Sequence, residues 1–246
     1  MNLGLEGRTA LVLGASSGLG LASAEALSEE GANVVMFARR EELLRREAAR
    51  LGASAVAGDV RQRDELEHAV DTAVRTYGGL DVLVLNGGGP PPGLASEVSD
   101  ESIQGAIDLL LRPVVTVVNA AVPHLRESGQ GRIISISSTS VREPIRNLAL
   151  SNAVRPGVWG YLKTLAGELA AGGITVNAVG PGRIATDRMT ELYGGEPPQA
   201  DLAAIPVGRL GAPREVGDVV CFLASRQASY LNGVLIPVDG GLSRSL

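Results

Sequence analysis

The run Ala10-Leu11-Val12-Leu13-Gly14-Ala15-Ser16-Ser17-Gly18-Leu19-Gly20 restricts the fold more than any other stretch of the chain. Its four leading apolar residues read as a buried strand. Three glycines then turn the chain, and an alanine-rich segment follows with Leu19, Ala22, Ala26 and Leu27 on one helical face, closing at Gly31. Strand, glycine turn and helix in that order form a nucleotide cradle. Glycines let the backbone approach a diphosphate closely, while free N–H groups and the positive helix end attract its charge. The spacing GxxxGxG is not the commoner GxGxxG, so the weight falls on the flanking strand and helix. The competing reading is a set of glycines that only turn the chain.

The same order of elements then repeats. Further strands are expected over 33–38, 54–58, 81–86, 132–137, 174–179 and 234–238. Between them lie expected helices over 39–51, about 100–125, about 150–171 and near 214–225. Another carries Leu66, Ala69, Val70, Ala73, Val74 and Tyr77 at helical spacing and ends at Gly78. Seven strands alternating with helices predict an α/β fold whose parallel sheet is covered on both faces. At 246 residues and 45% hydrophobic content the chain suffices for one domain, 1–246, with a single large core. The loop Gly87-Gly88-Gly89-Pro90-Pro91-Pro92-Gly93 follows a strand, where α/β sheets bind ligands, and reads as a stiff site wall.

Composition narrows the function classes. A net charge of −5 without a basic run argues against a nucleic-acid surface. The lone Cys221 excludes an internal disulfide and fits a reducing, cytoplasmic compartment; its apolar surroundings point to packing rather than reactivity. The apolar stretch 106–122 contains Asp108, Arg112 and Asn119, which a bilayer span would bury, so it reads as a core or interface helix with no membrane role. No signal peptide is expected ahead of the first strand. His68 and His124 have no cysteine or second histidine at ligand spacing, so no metal site is expected.

Several motifs together resemble the short-chain dehydrogenase/reductase family, and within it the 3-oxoacyl-acyl-carrier-protein reductases. They are Gly14-Ala15-Ser16-Ser17-Gly18-Leu19-Gly20, Gly58-Asp59-Val60, Leu85-Asn86-Gly87-Gly88, Ile136-Ser137-Ser138, Asn177-Ala178-Val179-Gly180-Pro181-Gly182 and Val238-Asp239-Gly240-Gly241. The likeness spans nearly the whole chain. It implies a doubly wound Rossmann-type sheet, a nicotinamide dinucleotide, a substrate lid near 187–205 and a homo-oligomer, tetramer or dimer. By the same likeness Gly14, Ser16, Ser17, Gly18, Leu19 and Gly20 would wrap the diphosphate. Asp59 would meet the adenine with its carboxylate and Val60 with its backbone. Asn86 and Gly88 would line the path to the nicotinamide, and Pro181, Gly182, Ile184 and Thr186 would hold its carboxamide. Leu13 departs from the family's threonine, which removes a hydroxyl from the turn.

The end of the second strand selects between the two nicotinamide cofactors. An acidic residue roughly twenty positions past the glycine turn binds the NAD ribose and repels the extra phosphate of NADP. Ala38 stands there, followed by Arg39 and Arg40, whose guanidinium forks suit a phosphate. The expectation is NADP, with NAD second. On the other reading both arginines open a solvated helix laced with Glu41–Arg45 and Glu42–Arg46 pairs.

At the catalytic positions the likeness breaks. The family uses a tyrosine as general acid, a lysine four residues on, a serine about thirteen residues earlier and an asparagine on the preceding helix. Ser138 matches the serine, but Ser151 takes the tyrosine place, Arg155 the lysine place and Leu110 the asparagine place. Tyr161 and Lys163 do not rescue the pattern, because their spacing is two and ten residues past Ser151 turns the helix to another face. Losing a positioned acid removes about 10²–10⁴ in rate, or roughly 3–5 kcal/mol of barrier. Pro156 is expected to kink this helix and re-aim Arg155. Tyr193, in the lid, is a further proton-donor candidate, though an exposed loop tyrosine is the plainer reading. Trp159 and Tyr161 read as core or subunit contacts.

The first reading is therefore an NADP(H)-dependent oxidoreductase acting on a carbonyl or alcohol, a small molecule or an acyl thioester of the 3-oxoacyl kind. Ser138 would polarise the carbonyl oxygen, Arg155 would hold the nicotinamide ribose and supply charge, and Ser151 would link to water. The second is a catalytically impaired nucleotide-binding subunit, a sensor or scaffold. A lyase or dehalogenase ranks last: halohydrin dehalogenases keep the tyrosine and lose the glycine cradle.

Overall fold

β1 (Thr9–Leu13) is buried at all five residues and is an interior strand of a seven-stranded parallel sheet. A computed structural model describes residues 2–195 and 197–245. Glu196, inside the expected lid, lies outside the described residues. The strands are β1, β2 (Asn33–Ala38), β3 (Ser54–Ala57), β4 (Val82–Leu85), β5 (Arg132–Ile136), β6 (Thr175–Pro181) and β7 (Leu235–Val238), in spatial order β3-β2-β1-β4-β5-β6-β7. The order reverses at β1, which pairs β2 through Leu11↔Val35 on one side and β4 through Leu11↔Leu83 on the other. A crevice opens at such a reversal beyond the carboxyl ends of the strands. The expected α/β fold and its parallel sheet are both present.

Helices cover both faces because both faces of every central strand are apolar. On one, α1 (Gly18–Glu29), α2 (Glu41–Leu51) and α9 (Pro213–Ala224) enclose Val12, Leu27, Met36, Leu44 and Val220. Gly217 lets α9 come against α1, since a Cβ there would lie 2.5 Å from the Ala22 carbonyl oxygen. On the other face, α3 (Arg63–Tyr77), α5 (Arg112–Glu127) and α6 (Ala149–Leu169) enclose Phe37, Leu66, Leu83, Leu125 and Leu162. Trp159 and Tyr161 pack at the margin of this second core. Cys221 is buried, donates to the Ala26 carbonyl at 3.4 Å and is pushed up by burial to about 12, so it is an unreactive packing group.

Three local expectations need correction. The helix expected over about 100–125 is two, α4 (Asp100–Leu110) and α5, separated at Leu111. Pro113 has no N–H to continue the ladder, and α5 restarts with proline in its first turn. Helix α2 begins at Glu41, so Arg39 and Arg40 precede it and are not part of its charged face. Of the two ion pairs expected there, Arg45–Glu41 forms at 2.5 Å, while Arg46 turns to Glu47 at 2.8 Å instead of Glu42. The lid stretch contains two short helices, α7 (Asp187–Tyr193) and α8 (Gln199–Ala203).

The amino-terminal edge of the sheet is tied by one carboxylate. Asp81 accepts from Thr9 N at 2.8 Å and from Ser128 Oγ at 2.6 Å, and pairs with Arg8. Asp81→Ala is expected to cost about 2 kcal/mol, because it takes the acceptor from three donors on two segments at a partly buried site. In a domain of this size that is a fall of roughly 4–8 °C in Tm by thermal denaturation, and a fall under 2 °C would show that water replaces the carboxylate.

Candidate active site

The glycine turn is shaped by what would collide with it. Gly14 and Gly18 hold φ of +61° and +57°, a region that other residues rarely adopt. A Cβ on Gly20 would collide with the Gly14 carbonyl oxygen, and one on Gly14 would lie 2.7 Å from Asn86 Nδ2. Asn86 donates to the carbonyls of Leu13 and Gly14, both at 3.3 Å, and so pins the turn from β4. Ser17 is the N-cap of α1 but makes no side-chain cap bond, and Ser16 is buried beneath it. The first amides of α1 therefore face the crevice without a side-chain acceptor. Bare amides beside glycines that cannot carry a side chain fit the diphosphate of a nicotinamide dinucleotide.

β6 supplies the opposite wall. Pro181 ends the strand, and Gly182 N donates to the Val238 carbonyl at 3.0 Å. A Cβ on Gly182 would come within 2.6 Å of Asp239 Cβ, so glycine is required there by close approach. Ile184 is buried, and Thr186 reaches back across the crevice, its Cγ2 3.6 Å from where a Gly18 Cβ would sit. Gly88, on the loop after β4, has open space beside it.

At the far end, Arg40 donates to Ser17 Oγ, bringing a guanidinium to the rim of the turn. Arg39 lies close enough to Asp59 to help hold its carboxyl low. The main cause of that lowering is Arg61, which grips both Asp59 oxygens, Nε at 3.1 Å and Nη2 at 2.6 Å. The Asp59 carboxylate is thus engaged by a neighbour, while its own N–H donates to Glu65 at 2.6 Å. Val60 turns instead into the cleft.

That cleft, open to solvent, is lined by apolar Leu109, Leu110, Pro113 and Val158 together with Asn86 and Arg155. Leu110 occupies the end of α4, where its side chain adds apolar wall and no amide. Arg155 is the one charged residue of the lining. Its Nε donates to Ser151 Oγ at 3.1 Å and its Nη1 to the Ser137 carbonyl at 3.3 Å. Ser151 Oγ lies 3.4 Å from Ser140 Oγ, both hydroxyls being buried. Ser138 Oγ accepts from Ser140 N at 3.0 Å, which leaves its own proton to donate. Burial, reinforced by the charge of Arg188, pulls the Arg155 guanidinium down to about 10, still a cation at neutral pH.

Pro156 does not end the helix: α6 runs from Ala149 to Leu169, and Arg155 meets Ser151 one turn earlier. Only the Asn152 carbonyl loses a donor. Buried Leu150, Val158 and Leu162 hold the helix on both sides of the proline. Tyr193 belongs to α7, where burial and then Asp201 raise its phenol above the ordinary value, making it a weaker acid.

A dinucleotide cradle at the reversal of a seven-stranded parallel sheet, continuing into a cleft lined by Arg155, which is bonded to a serine one helical turn earlier, defines a class. The chain belongs to the short-chain dehydrogenase/reductase family and is a nicotinamide-dependent oxidoreductase of that type. A family model described as enoyl-(acyl carrier protein) reductase matches residues 14–243. The chain is 36% identical over 244 residues to the 3-oxoacyl-[acyl-carrier-protein] reductase of Vibrio cholerae, covering 98% of this chain and 99% of that one. Among solved structures, an actinorhodin polyketide ketoreductase with NADPH matches at a TM-score of 0.90 and 35% identity, covering 96% and 97% of the two chains. The 3-ketoacyl-(acyl-carrier-protein) reductase of Brucella melitensis, complexed with NADH, matches at 0.90 and 34%, covering 97% and 99%.

Three residues of the site escaped the sequence reading as site groups, Ser140, Arg61 and Arg188, and the bond from Arg40 to Ser17 was not foreseen. Ser140 and Arg61 each stand two residues past a residue that was singled out, and an Asx- or serine-turn search would have found them. Nothing local marks Arg188.

Proposed function

We propose that the protein reduces the carbonyl of a 3-oxoacyl-type compound with NADPH, using a hydroxyl–guanidinium pair in place of a phenol–ammonium pair. The observation that carries this reading is the Arg155–Ser151–Ser140 chain, which meets the cleft at Arg155. Bound NADPH supplies the hydride. The substrate oxygen gains negative charge as that hydride adds to its carbon, and Arg155, desolvated and fixed by Ser137, is a preorganised cation for it. Ser138 and Ser151 donate O–H bonds to the same oxygen. Ser151 passes on its proton and recovers one from water by way of Ser140. The near-match of fold to two ketoreductases favours this reading over a nucleotide-binding subunit without turnover.

Gly14 and Ser16 to Gly20 would cradle the diphosphate, Asn86, Gly88 and Arg155 the nicotinamide ribose, and Pro181, Gly182, Ile184 and Thr186 the carboxamide. Arg39 and Arg40 would take the ribose phosphate, supported by the lack of an acid at Ala38 and by Arg40 leaning on Ser17. We place the protein in the cytoplasm as a homo-oligomer, a reading supported by the single buried thiol and by the exposed Ile103 on α4.

Titration with NADPH and NADH followed by fluorescence, continued into single-turnover assays on 3-oxoacyl thioesters and simple ketones, tests the function. Tight NADPH binding with no oxidation across that panel would overturn it. In the same titration Arg40→Ala is expected to weaken NADPH by about 10–100-fold and leave NADH unchanged, the loss of one charge-assisted phosphate contact. Equal losses for both cofactors would remove Arg40 from the phosphate site.

A further inference from the structure

Two guanidinium groups converge on one point of the cleft mouth. A Cβ built on Gly89 would lie 3.7 Å from Arg155 Nη2 and 3.5 Å from Arg188 Nη2. Arg155 comes to that point from α6 and Arg188 from α7, at the start of the lid, where its Nη2 donates to the Pro90 carbonyl at 2.9 Å. Among the described residues no carboxylate pairs with Arg155, and Arg188 has only a 3.5 Å contact with the exposed Glu191. Arg155 is desolvated while the Arg188 side chain stays 41% exposed, and two like charges brought this close repel one another, a repulsion that an anion between them would relieve. The Gly87–Gly89 run explains how the loop fits, because any side chain at 89 would fill the space between the forks.

We propose that Arg155 and Arg188 form a clamp for a carboxylate, and that the substrate is an oxo acid whose free carboxylate sits beside its reducible carbonyl. This rests on the reductase reading above and specifies its substrate. The cofactor diphosphate is the other source of anionic oxygen, but its cradle is the glycine turn, and the lining that Arg155 shares with Asn86 includes none of Gly14 to Gly20. Planar, paired N–H donors match a carboxylate in the way an ammonium does not. Closing Arg188 onto the anion would also draw α7 over the cleft, since the residue belongs to that helix.

Acetoacetate and methyl acetoacetate are a matched pair differing in the charge, and calorimetry on the full-length protein saturated with NADP⁺ reads binding without turnover. Acetoacetate is expected to bind at least tenfold more tightly than the ester. Arg188→Met should abolish that preference, Arg188→Lys should restore part of it, and NADPH affinity by fluorescence should stay unchanged in both. In steady state Arg188→Met should raise KM for acetoacetate at least tenfold with little change in kcat. Equal binding of acid and ester by the wild type, or unchanged acetoacetate binding in Arg188→Met, would overturn the clamp. A loss of NADPH affinity in Arg188→Met would assign the anion to the cofactor and overturn the substrate class. Should the acid bind as expected while nothing is reduced, the reductase reading fails and the clamp stands.

Discussion

The Gly20→Ala variant will bind NADPH at least 100-fold more weakly than the wild type, a loss of about 2.7 kcal/mol. The added methyl would collide with the Gly14 carbonyl oxygen and lie 2.7 Å from Asn86 Nδ2. Neither neighbour can yield cheaply. Gly14 is held at φ +61°, and Asn86 is bonded to two carbonyls of the turn. Either α1 withdraws, which carries its amides away from the diphosphate, or Asn86 releases the turn. Overpacking of this kind costs about 1–3 kcal/mol of stability as well, so Tm should fall by roughly 2–12 °C. Gly79→Ala is the matched control: nothing lies within 4 Å of its Cβ position, and both readings should stay near wild type. NADPH fluorescence and circular dichroism separate the two effects, and a Gly20→Ala protein with wild-type affinity would show that the cradle does not hold the cofactor.

Replacing Arg155 by leucine should move activity and stability in opposite directions. Removing the one cation of the cleft lining is expected to lower the single-turnover rate of carbonyl reduction by about 10²–10³, the usual cost of a preorganised charge-stabilising group. Stability should hold or rise, because a desolvated guanidinium without a carboxylate partner among the described residues is replaced by an apolar side chain. The unpaired Ser137 carbonyl and Ser151 hydroxyl limit the gain to about 1 kcal/mol, or ~2–4 °C in Tm. A fall in Tm together with an unchanged rate would make Arg155 a structural residue. The pH dependence follows with a defined sign. Held by burial at about 10, below its ordinary value, Arg155 stays charged below pH 9, so the wild-type rate should be flat from pH 6 to 9. Above that, its folded value lying under its free value means stability gains, and activity falls, as pH climbs through 10.

Much of this was legible in the residues. Ala10 to Leu13 and 33–38 read as strands because unbroken apolar runs of that length can be satisfied only between two covered faces. Gly78 was legible as a helix end and does cap α3 in the left-handed conformation. The substitution of serine, arginine and leucine at three catalytic places was visible by counting from Ser138. Proline was harder to read. Pro156 does not end its helix, because packing on both sides outweighs one missing bond, whereas Pro113 was passed over and divides a helix in two. Asp59 was assigned wholly to an adenine, since spacing alone does not report that Arg61 would fold back onto its carboxylate.

The sequence by itself determined the alternation of strand and helix, the cradle between β1 and α1, and the absence of a phenol one turn before Arg155. Each of these is written in neighbours a few residues apart, where backbone geometry and hydrophobic periodicity act. Only the tertiary structure decided that β4 lies beside β1, that Ser140 joins Ser151, and that Arg188 reaches across 98 residues of chain to Pro90. Those meetings follow from the order of strands in the sheet. That order is set by how the whole set of apolar faces is buried at once, and no short stretch of residues records it.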